Sequence, residues 1–488
     1  MKQTPILSNQ QQFELSSDQS LPCTFNIALY EVGGKQSECL FKVSGQDTQG
    51  AKKTVLYTLA DREHHSYLDL FAKLSRDFGL RVPQNRIKTI PISPSFETAY
   101  NEILTENIHP DILYGYGDPA VIRVDRNTQT IYYLLATSND APHSFPLLRS
   151  SDLKDWQFVD FIFPEGKKPH WAADGESASD YWAAEMHQIG DEFRIYYVAR
   201  ENENAELCIG MVSSVSPEGP FVSCKEPVLK GNIIDPHIFV QSAEMVYLYW
   251  KEDNNDVWPG KLIELLNDRP HLTSILFEHE EDRRTASFVQ TLWPWIETLP
   301  PMERFQAMQV LIEVIISNFA SFYTRLSEQM KTEDERSQKQ ITEVLKYMKT
   351  PMYAQQLSAD GQHLVGQPTK ILENDLPWEA HLVEGMWVTE HNDTFYLFYA
   401  GNDFSTDQYG IGVAVSKSPL GPFTKMHEPF LKSTADWWAP GHPSVVMDTE
   451  GKYHMFLHAY FPGKAGYKEF RALLSVPMIF EEDKVRVG

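Results

Sequence analysis

Five short segments of this 488-residue chain each set an acid or a histidine beside a strand-like run. They are Gly117-Asp118-Pro119, Ala184-Glu185-Met186-His187, Ile234-Asp235-Pro236-His237, Val383-Glu384-Gly385 and Pro440-Gly441-His442. One long insertion aside, they recur at roughly 50–70 residues, the period of propeller blades, whose equivalent positions converge on a central axis. Asp118, Asp235 and Glu384 would then meet from three blades in one acid-lined pocket. Inverting cleavage of a glycosidic bond needs such a set. An ionised carboxylate activates water, and a protonated carboxyl roughly 6.5–9.5 Å away protonates the leaving oxygen. A third carboxylate keeps that acid protonated by like-charge repulsion.

The elements that must hold these groups are strands. Each segment runs into an apolar, aromatic-rich stretch such as Ile131-Tyr132-Tyr133-Leu134 or Phe395-Tyr396-Leu397-Phe398-Tyr399. The stretches Ile209–Leu229 and Ile411–Leu431 form an internal repeat with about half their positions identical; both contain Ser-x-Ser-Pro-x-Gly-Pro-Phe and end in Glu-Pro-x-Leu. Proline presets φ and glycine accepts a positive one, so the shared core reads as a turn in the outer hairpin of two blades. The fold predicted is all-β, a five-bladed β-propeller over residues 109–488. It carries a small N-terminal α/β appendage over 1–108 and a helical insertion over 261–349 in the third blade.

In the appendage, Phe25–Tyr30 and Thr54–Leu59 read as strands, and Tyr67–Leu74 as an amphipathic helix that stops near Gly79. In the insertion, Phe305, Met308, Leu311, Ile312, Ile315, Phe319, Phe322 and Leu326 recur at helical spacing. Ile341, Val344, Leu345 and Met348 continue that spacing on a second helix. Pro300-Pro301 and Thr332-Glu333-Asp334-Glu335 supply the starts. Such a hairpin would pack on the propeller, join two copies of the chain, or act as a lid. Glu313 and Arg325 interrupt its apolar run and argue against a membrane anchor.

The formal charge of −24, from 43 basic and 67 acidic residues, argues against nucleic acid or an anionic membrane as the main partner. Aromatic residues make up 12% of the chain, which suits both β-structure and sugar stacking. Met1–Gln12 shows no basic segment leading into an apolar one, so no export signal is read there. Cys23, Cys39, Cys208 and Cys224 have neither metal-ligand spacing nor the number for a disulfide framework. These features point to the cytoplasm.

From about residue 111 onward the chain resembles glycoside hydrolase family 43, five-bladed propeller enzymes acting on arabinose- and xylose-containing glycans. Tyr116-Gly117-Asp118-Pro119 resembles the family's opening Asp-Pro segment, and Ser150-Ser151-Asp152-Leu153-Lys154-Asp155-Trp156 its Ser-x-Asp-Leu-x-x-Trp strand pair. Tyr181-Trp182-Ala183-Ala184-Glu185 resembles its Trp-Ala-Pro-Glu segment, with Ala184 in place of proline. Tyr249-Trp250-Lys251 resumes beyond the insertion at Tyr353-Ala354-Gln355, and Val383-Glu384-Gly385, followed by Met386 rather than proline, and Pro440-Gly441-His442 complete the set.

The resemblance implies Asp118 as general base, Glu384 as general acid and Asp235 as pKa modulator. Glu185, Trp182, Lys251 and His442 would contact substrate, and Trp171, Trp378, Trp437 and Trp438 are candidate pocket walls. No cofactor is required; a calcium ion on the axis, reached from His442 through water, is compatible with the pattern, although calcium prefers oxygen ligands. The activity implied is release of terminal α-L-arabinofuranose or β-D-xylose from short oligosaccharides, with the first favoured by the Trp250-Lys251 and Tyr353-Ala354-Gln355 motifs. The rivals are a glycan- or protein-binding propeller without turnover, and a glycoside phosphorylase, which needs a basic cluster for phosphate. Lys251 alone supplies little of that.

Overall fold

Strand-forming runs from Gly117 onward build five antiparallel sheets, in sequence order, in the computed structural model. It describes residues 12–31, 38–60, 64–87, 100–126, 129–138, 143–164, 167–173, 180–255, 257–481 and 484–488. Most of the segment read for an export signal, residues 1–11, lies outside the described residues.

The first sheet comprises Gly117–Arg126, Gln129–Thr137, Pro146–Ser150 and Gln157–Phe161. The second comprises Trp182–Ile189, Glu192–Arg200, Leu207–Ser214 and Val222–Ser223, with Leu229–Lys230 added. Ile233–Val240, Val246–Glu252, Met352–Leu357 and Leu364–Leu372 form the third; Val383–His391, Thr394–Gly401, Gly410–Ser416 and Thr424–Lys425 the fourth. The fifth has Trp438–Met447, Tyr453–Tyr460, Arg471–Glu481 and Lys484–Val487, with Asn101–Leu104 pairing on its third strand. Each first strand packs against the first strand of the next sheet, and the fifth packs against the first, so the ring closes as a five-bladed propeller.

Both faces of each blade are buried, which is why the strands read as near-continuous apolar runs. Successive side chains point to opposite faces, so neighbours serve different cores. Tyr197 packs with Tyr133, Leu135 and Phe145 of the first blade, while Tyr196 packs with Ile238 and Leu248 of the third. Tyr399 joins Tyr249 and Ala354 of the third blade, while Phe398 joins Met455 and Leu457 of the fifth. Val121 and Leu134 meet Val446 and Phe456 across the closing seam.

The internal repeat is a packing unit. In the second and fourth blades the Ser-Pro-x-Gly-Pro turn joins the third and fourth strands, with Gly219 at φ 79° and Gly421 at φ 77°. The repeated leucine returns to the third strand, Leu229 opposite Ile209 and Leu431 opposite Ile411. Trp171 stacks on Tyr197 at 6.3 Å, and Trp378 on Tyr399 at 5.9 Å. Each Trp-Tyr pair lies over a glycine, Gly210 or Gly412, whose added Cβ would come within 2.5 Å of the tyrosine ring. These two tryptophans are thus committed to packing.

Residues 1–90 and 254–349 form a second compact unit. Gln12–Ser16, Phe25–Glu31, Cys39–Gln46 and Lys52–Leu59 make an antiparallel sheet, followed by the helix His64–Phe78, which ends at Gly79 with φ 69°. Six inserted helices complete the unit: Val257–Asp268, His271–Leu276, Glu280–Ile296, Pro301–Ile316, Phe319–Gln329 and Glu335–Tyr347. Phe25 meets Phe288 edge-on at 5.4 Å, Phe41 meets Trp295 at 5.3 Å, and Arg284 donates to the carbonyls of Gln46 and Phe78. One core therefore joins stretches of chain about 200 residues apart. The periodicity from Phe305 to Leu326 is one face in sequence but two helices in space, bent by 90° at Ser317-Asn318. Asp334 caps the last helix, accepting from Ser337 N–H at 2.9 Å. Among the described residues no single helix is long and apolar enough to cross a membrane.

Replacing Gly412 with valine should force Tyr399 and Trp378 apart and lower propeller stability by about 1–3 kcal/mol. The shift is read from the midpoint of urea denaturation at unchanged slope.

Candidate active site

Near its start, every inner strand breaks register and carries a residue in the left-handed region: Asp118 at φ 49°, Ala183 at 49°, Asp235 at 57°, Gly385 at 56° and Ala439 at 51°. A bulge turns the following side chains away from the ladder and withdraws a backbone N–H from it. Neighbouring blades supply three of the missing acceptors, and the connection into the fifth blade supplies a fourth. Asp118 N–H donates to His458 Nδ1 at 3.1 Å, and Ala183 N–H to Thr137 Oγ1 at 2.8 Å. Gly385 N–H donates to Asp235 Oδ2 at 2.7 Å, and Ala439 N–H to Ser433 Oγ at 2.9 Å.

Asp118, Asp235, Glu384, Glu185 and His442 are brought together by these bends. Electrostatic coupling runs between Asp118 and Asp235, between Asp235 and Glu384, and from His442 to Asp118, Glu185 and Glu384. Asp118 and Glu384 keep 14% and 12% side-chain exposure, enough to meet a ligand.

The three carboxyl groups differ in their charge surroundings. Burial opposes ionisation of Asp118, but Arg471, then His442 and His458, outweigh it and hold the carboxyl well below its ordinary value. Arg471 Nη1 donates to Asp118 Oδ1 at 2.9 Å, and His442 Nδ1 lies 3.4 Å from the same oxygen. Burial pushes Asp235 up, Lys251 opposes, and Asp118 adds repulsion, leaving it at about 7. Glu384 is also raised, first by burial and then by Asp235, against the pull of Lys251 and a hydrogen bond from Tyr409. Lys251 Nζ stands 3.3 Å from Glu384 Oε2, and Tyr409 donates to Glu384 Oε1 at 2.7 Å.

Two residues expected on the substrate side are buried instead. Lys251 has 0% side-chain exposure, and its ammonium is held between Glu384 and Asp253. Glu185 is 2% exposed; its Oε2 lies 2.9 Å from both His187 Nε2 and His237 Nδ1. Protein groups already surround the polar atoms of both. Trp182 is half-buried against Val198, Leu207 and Ile234. Trp437 and Trp438 are buried.

Glu185, His187 and His237 are the cluster among the described residues whose donor atoms lie close enough together to hold a metal. The tautomers argue against it. His237 Nε2 accepts from Val388 N–H at 2.9 Å, so the ring proton sits on Nδ1, the nitrogen that a metal would need. The set works as a brace, tying the inner strands of the second, third and fourth blades. Around His442, Asp118 is the adjacent carboxylate, and Arg471 already engages it, so the residues there do not form a direct oxygen cage for calcium.

Sequence reasoning passed over Arg471, Tyr409 and His458, which no motif or period sets apart. His187 and His237 stood inside the quoted segments, each two residues beyond an acid, and in the unbroken stretch of the second blade that spacing sets Glu185 and His187 on one strand face. That spacing was the available signal.

Residues 110–276 and 337–485 match the family model described as glycosyl hydrolases family 43. The chain belongs to this family. A xylosidase/arabinosidase of Bacteroides ovatus is 22% identical over 287 residues, covering 59% of this chain and 66% of the relative. Xylosidase/arabinosidase 43A of Humicola insolens is 32% identical over 81 residues, 17% of this chain and 23% of the relative. The matches thus span less than two-thirds of either curated relative. The crystal structure of a thermostable family-43 glycoside hydrolase superposes with a TM-score of 0.52 at 23% identity, over 77% of this chain and 93% of that one. That likeness is one of fold.

Replacing Arg471 with methionine would leave Asp118 partly buried without its guanidinium. Stability at neutral pH should fall by roughly 3 kcal/mol, measured by chemical denaturation, with the loss shrinking in acid as the aspartate becomes protonated.

Proposed function

We propose that this family-43 protein is an inverting glycoside hydrolase that releases terminal α-L-arabinofuranosyl or β-D-xylosyl residues from oligosaccharides. The observation that carries the reading is the opposed charge preference of two partly exposed carboxyl groups on one axis. Asp118 is held ionised by Arg471, while Glu384 is pushed toward its protonated form by burial and by Asp235. Asp118 then draws a proton from a water below the anomeric carbon. Glu384 gives its proton to the departing oxygen, and the sugar leaves with inverted configuration. Asp235 modulates the acid through its own charge and fixes the strand that carries it through Gly385 N–H. Lys251 balances the cluster from behind these groups rather than binding sugar.

The names of the two curated relatives support a pentosyl substrate, as does the family. Both cations at the site, Arg471 and Lys251, are paired with carboxylates, so the residues described offer no free basic cluster for phosphate. That disfavours a phosphorylase.

Replacing Glu384 with glutamine should cut turnover of an unactivated pentosyl oligosaccharide by about 10²–10⁴-fold. An aryl pentoside, whose leaving group needs no proton, should lose far less. Equal losses on both substrates, or no wild-type turnover of any pentoside, would sink the assignment.

The pH profile of kcat/KM should be bell-shaped. Its acid limb reports Asp118 and lies below the ordinary aspartate range, because the base stays ionised there; its alkaline limb reports Glu384 and lies above 4.5, the usual glutamate value. Asp235 and Glu384 lose their protons as a pair, and the charge left by the first to ionise opposes loss of the second; Asp235→Asn removes that repulsion, so the alkaline limb should move to lower pH.

A further inference from the structure

A phenol not used in the scheme above touches the acid directly. Tyr409 is 2% exposed and donates to Glu384 Oε1 at 2.7 Å, while Oε2 of the same carboxyl faces Lys251. We propose that Tyr409 is a positioning residue that fixes the Glu384 carboxyl and determines which of its oxygens carries the transferable proton. This rests on the reading of Glu384 as the acid.

A hydroxyl that donates to Oε1 leaves that oxygen as acceptor, so the proton of the neutral carboxyl resides on Oε2. Burial keeps the phenol protonated, its pKa raised further by Glu384. In the ionised state Oε2 is the partner of the Lys251 ammonium; in the protonated state it is the donor to the glycosidic oxygen. The same atom alternates between the two.

Three observations show that the phenol is held rather than merely near. Its ring stacks on His458 at 6.3 Å with 14° between planes, and His458 is the acceptor for Asp118 N–H. On another side, a Cβ added at Gly441 would fall 1.9 Å from Tyr409 Cε1, so the fifth blade keeps a glycine where the ring needs space. The loop that delivers it is tied down: within it Thr406 Oγ1 donates to Asp403 carbonyl, and Ser433 Oγ, from the connection into the fifth blade, donates to Asp407 carbonyl at 2.6 Å. Glu384, Tyr409, His458 and Asp118 thereby form one run of contacts from acid to base across three blades.

Tyr409→Phe removes the hydroxyl and keeps the ring. Lys251, Asp235 and His442 also face Glu384, and Asp235, Asp118 and Arg471 surround Tyr409; all remain in the variant. On an unactivated pentosyl oligosaccharide kcat should fall roughly 10- to 100-fold, the worth of one hydrogen bond to a carboxylate, with KM changed less than threefold. The alkaline limb should move to higher pH, because the lost bond favoured the carboxylate. An aryl pentoside should be affected far less.

Gly441→Ala, which crowds the ring while leaving the hydroxyl in place, should give the same pattern; near-ultraviolet circular dichroism checks that each variant is folded at the assay temperature. Folded Tyr409→Phe with wild-type kcat and an unmoved alkaline limb overturns the inference, as does a loss confined to KM or equal on both substrates. If Glu384→Gln behaves as expected while Tyr409→Phe does not, the hydrolase reading stands and the positioning role falls.

Discussion

A backbone amide that leaves a sheet must find another partner, and this constraint organises the centre of the molecule. Five inner strands bulge near the axis, and four of the displaced amides, at Asp118, Ala183, Gly385 and Ala439, are met by side-chain acceptors. Left-handed backbone at a non-glycine residue costs on the order of 1–3 kcal/mol. Asp118, Ala183, Asp235 and Ala439 all adopt it, so strain is concentrated where the chain must aim its carboxyl groups. The acceptors come from neighbouring blades in the first three cases. Closing the ring and shaping the site are therefore one event.

The same side chains carry charge logic. Asp235 braces the fourth blade through Gly385 N–H and, once ionised, disfavours a second negative charge on Glu384. His458 accepts the Asp118 amide and stacks on the phenol that holds Glu384. Thr137 accepts from Ala183 N–H and hydrogen-bonds to Asp118. Base and acid are held at opposite protonation preferences by partners that also hold the backbone. Changing one such residue alters geometry and pKa together, so only variants that separate the two, such as loss of a single hydroxyl, report on either alone.

Much of this was legible in the chain. Regular recurrence of acid-bearing segments gave the blades, and the Ser-Pro-x-Gly-Pro repeat gave the outer hairpins, because both rest on local turn chemistry and strand period. The bulges were not legible. Asp118, Ala183 and Ala439 have no sequence mark of a positive φ, and the axial groups are not all placed alike on the bulge: Asp118, Asp235 and His442 are themselves left-handed, while Glu384 stands one residue before Gly385 and Glu185 two after Ala183. Buried cations were equally hidden: Lys251 looks like a surface or substrate residue until Asp253 and Glu384 close around it, and Arg471 stands some 350 positions from its aspartate. Helical periodicity across Ser317-Asn318 could not reveal a right-angle turn, since period reports facing and not direction.

The central claim is that bulged strands from separate blades aim one ionised and one protonated carboxyl at a common ligand. A crystal structure of the Glu384→Gln variant with a pentosyl oligosaccharide bound tests it most directly. The account predicts the terminal ring seated between Asp118 and position 384, with a water on Asp118 facing the anomeric carbon and the two side chains roughly 6.5–9.5 Å apart. A sugar bound elsewhere, or both side chains on one face of the ring, would contradict it.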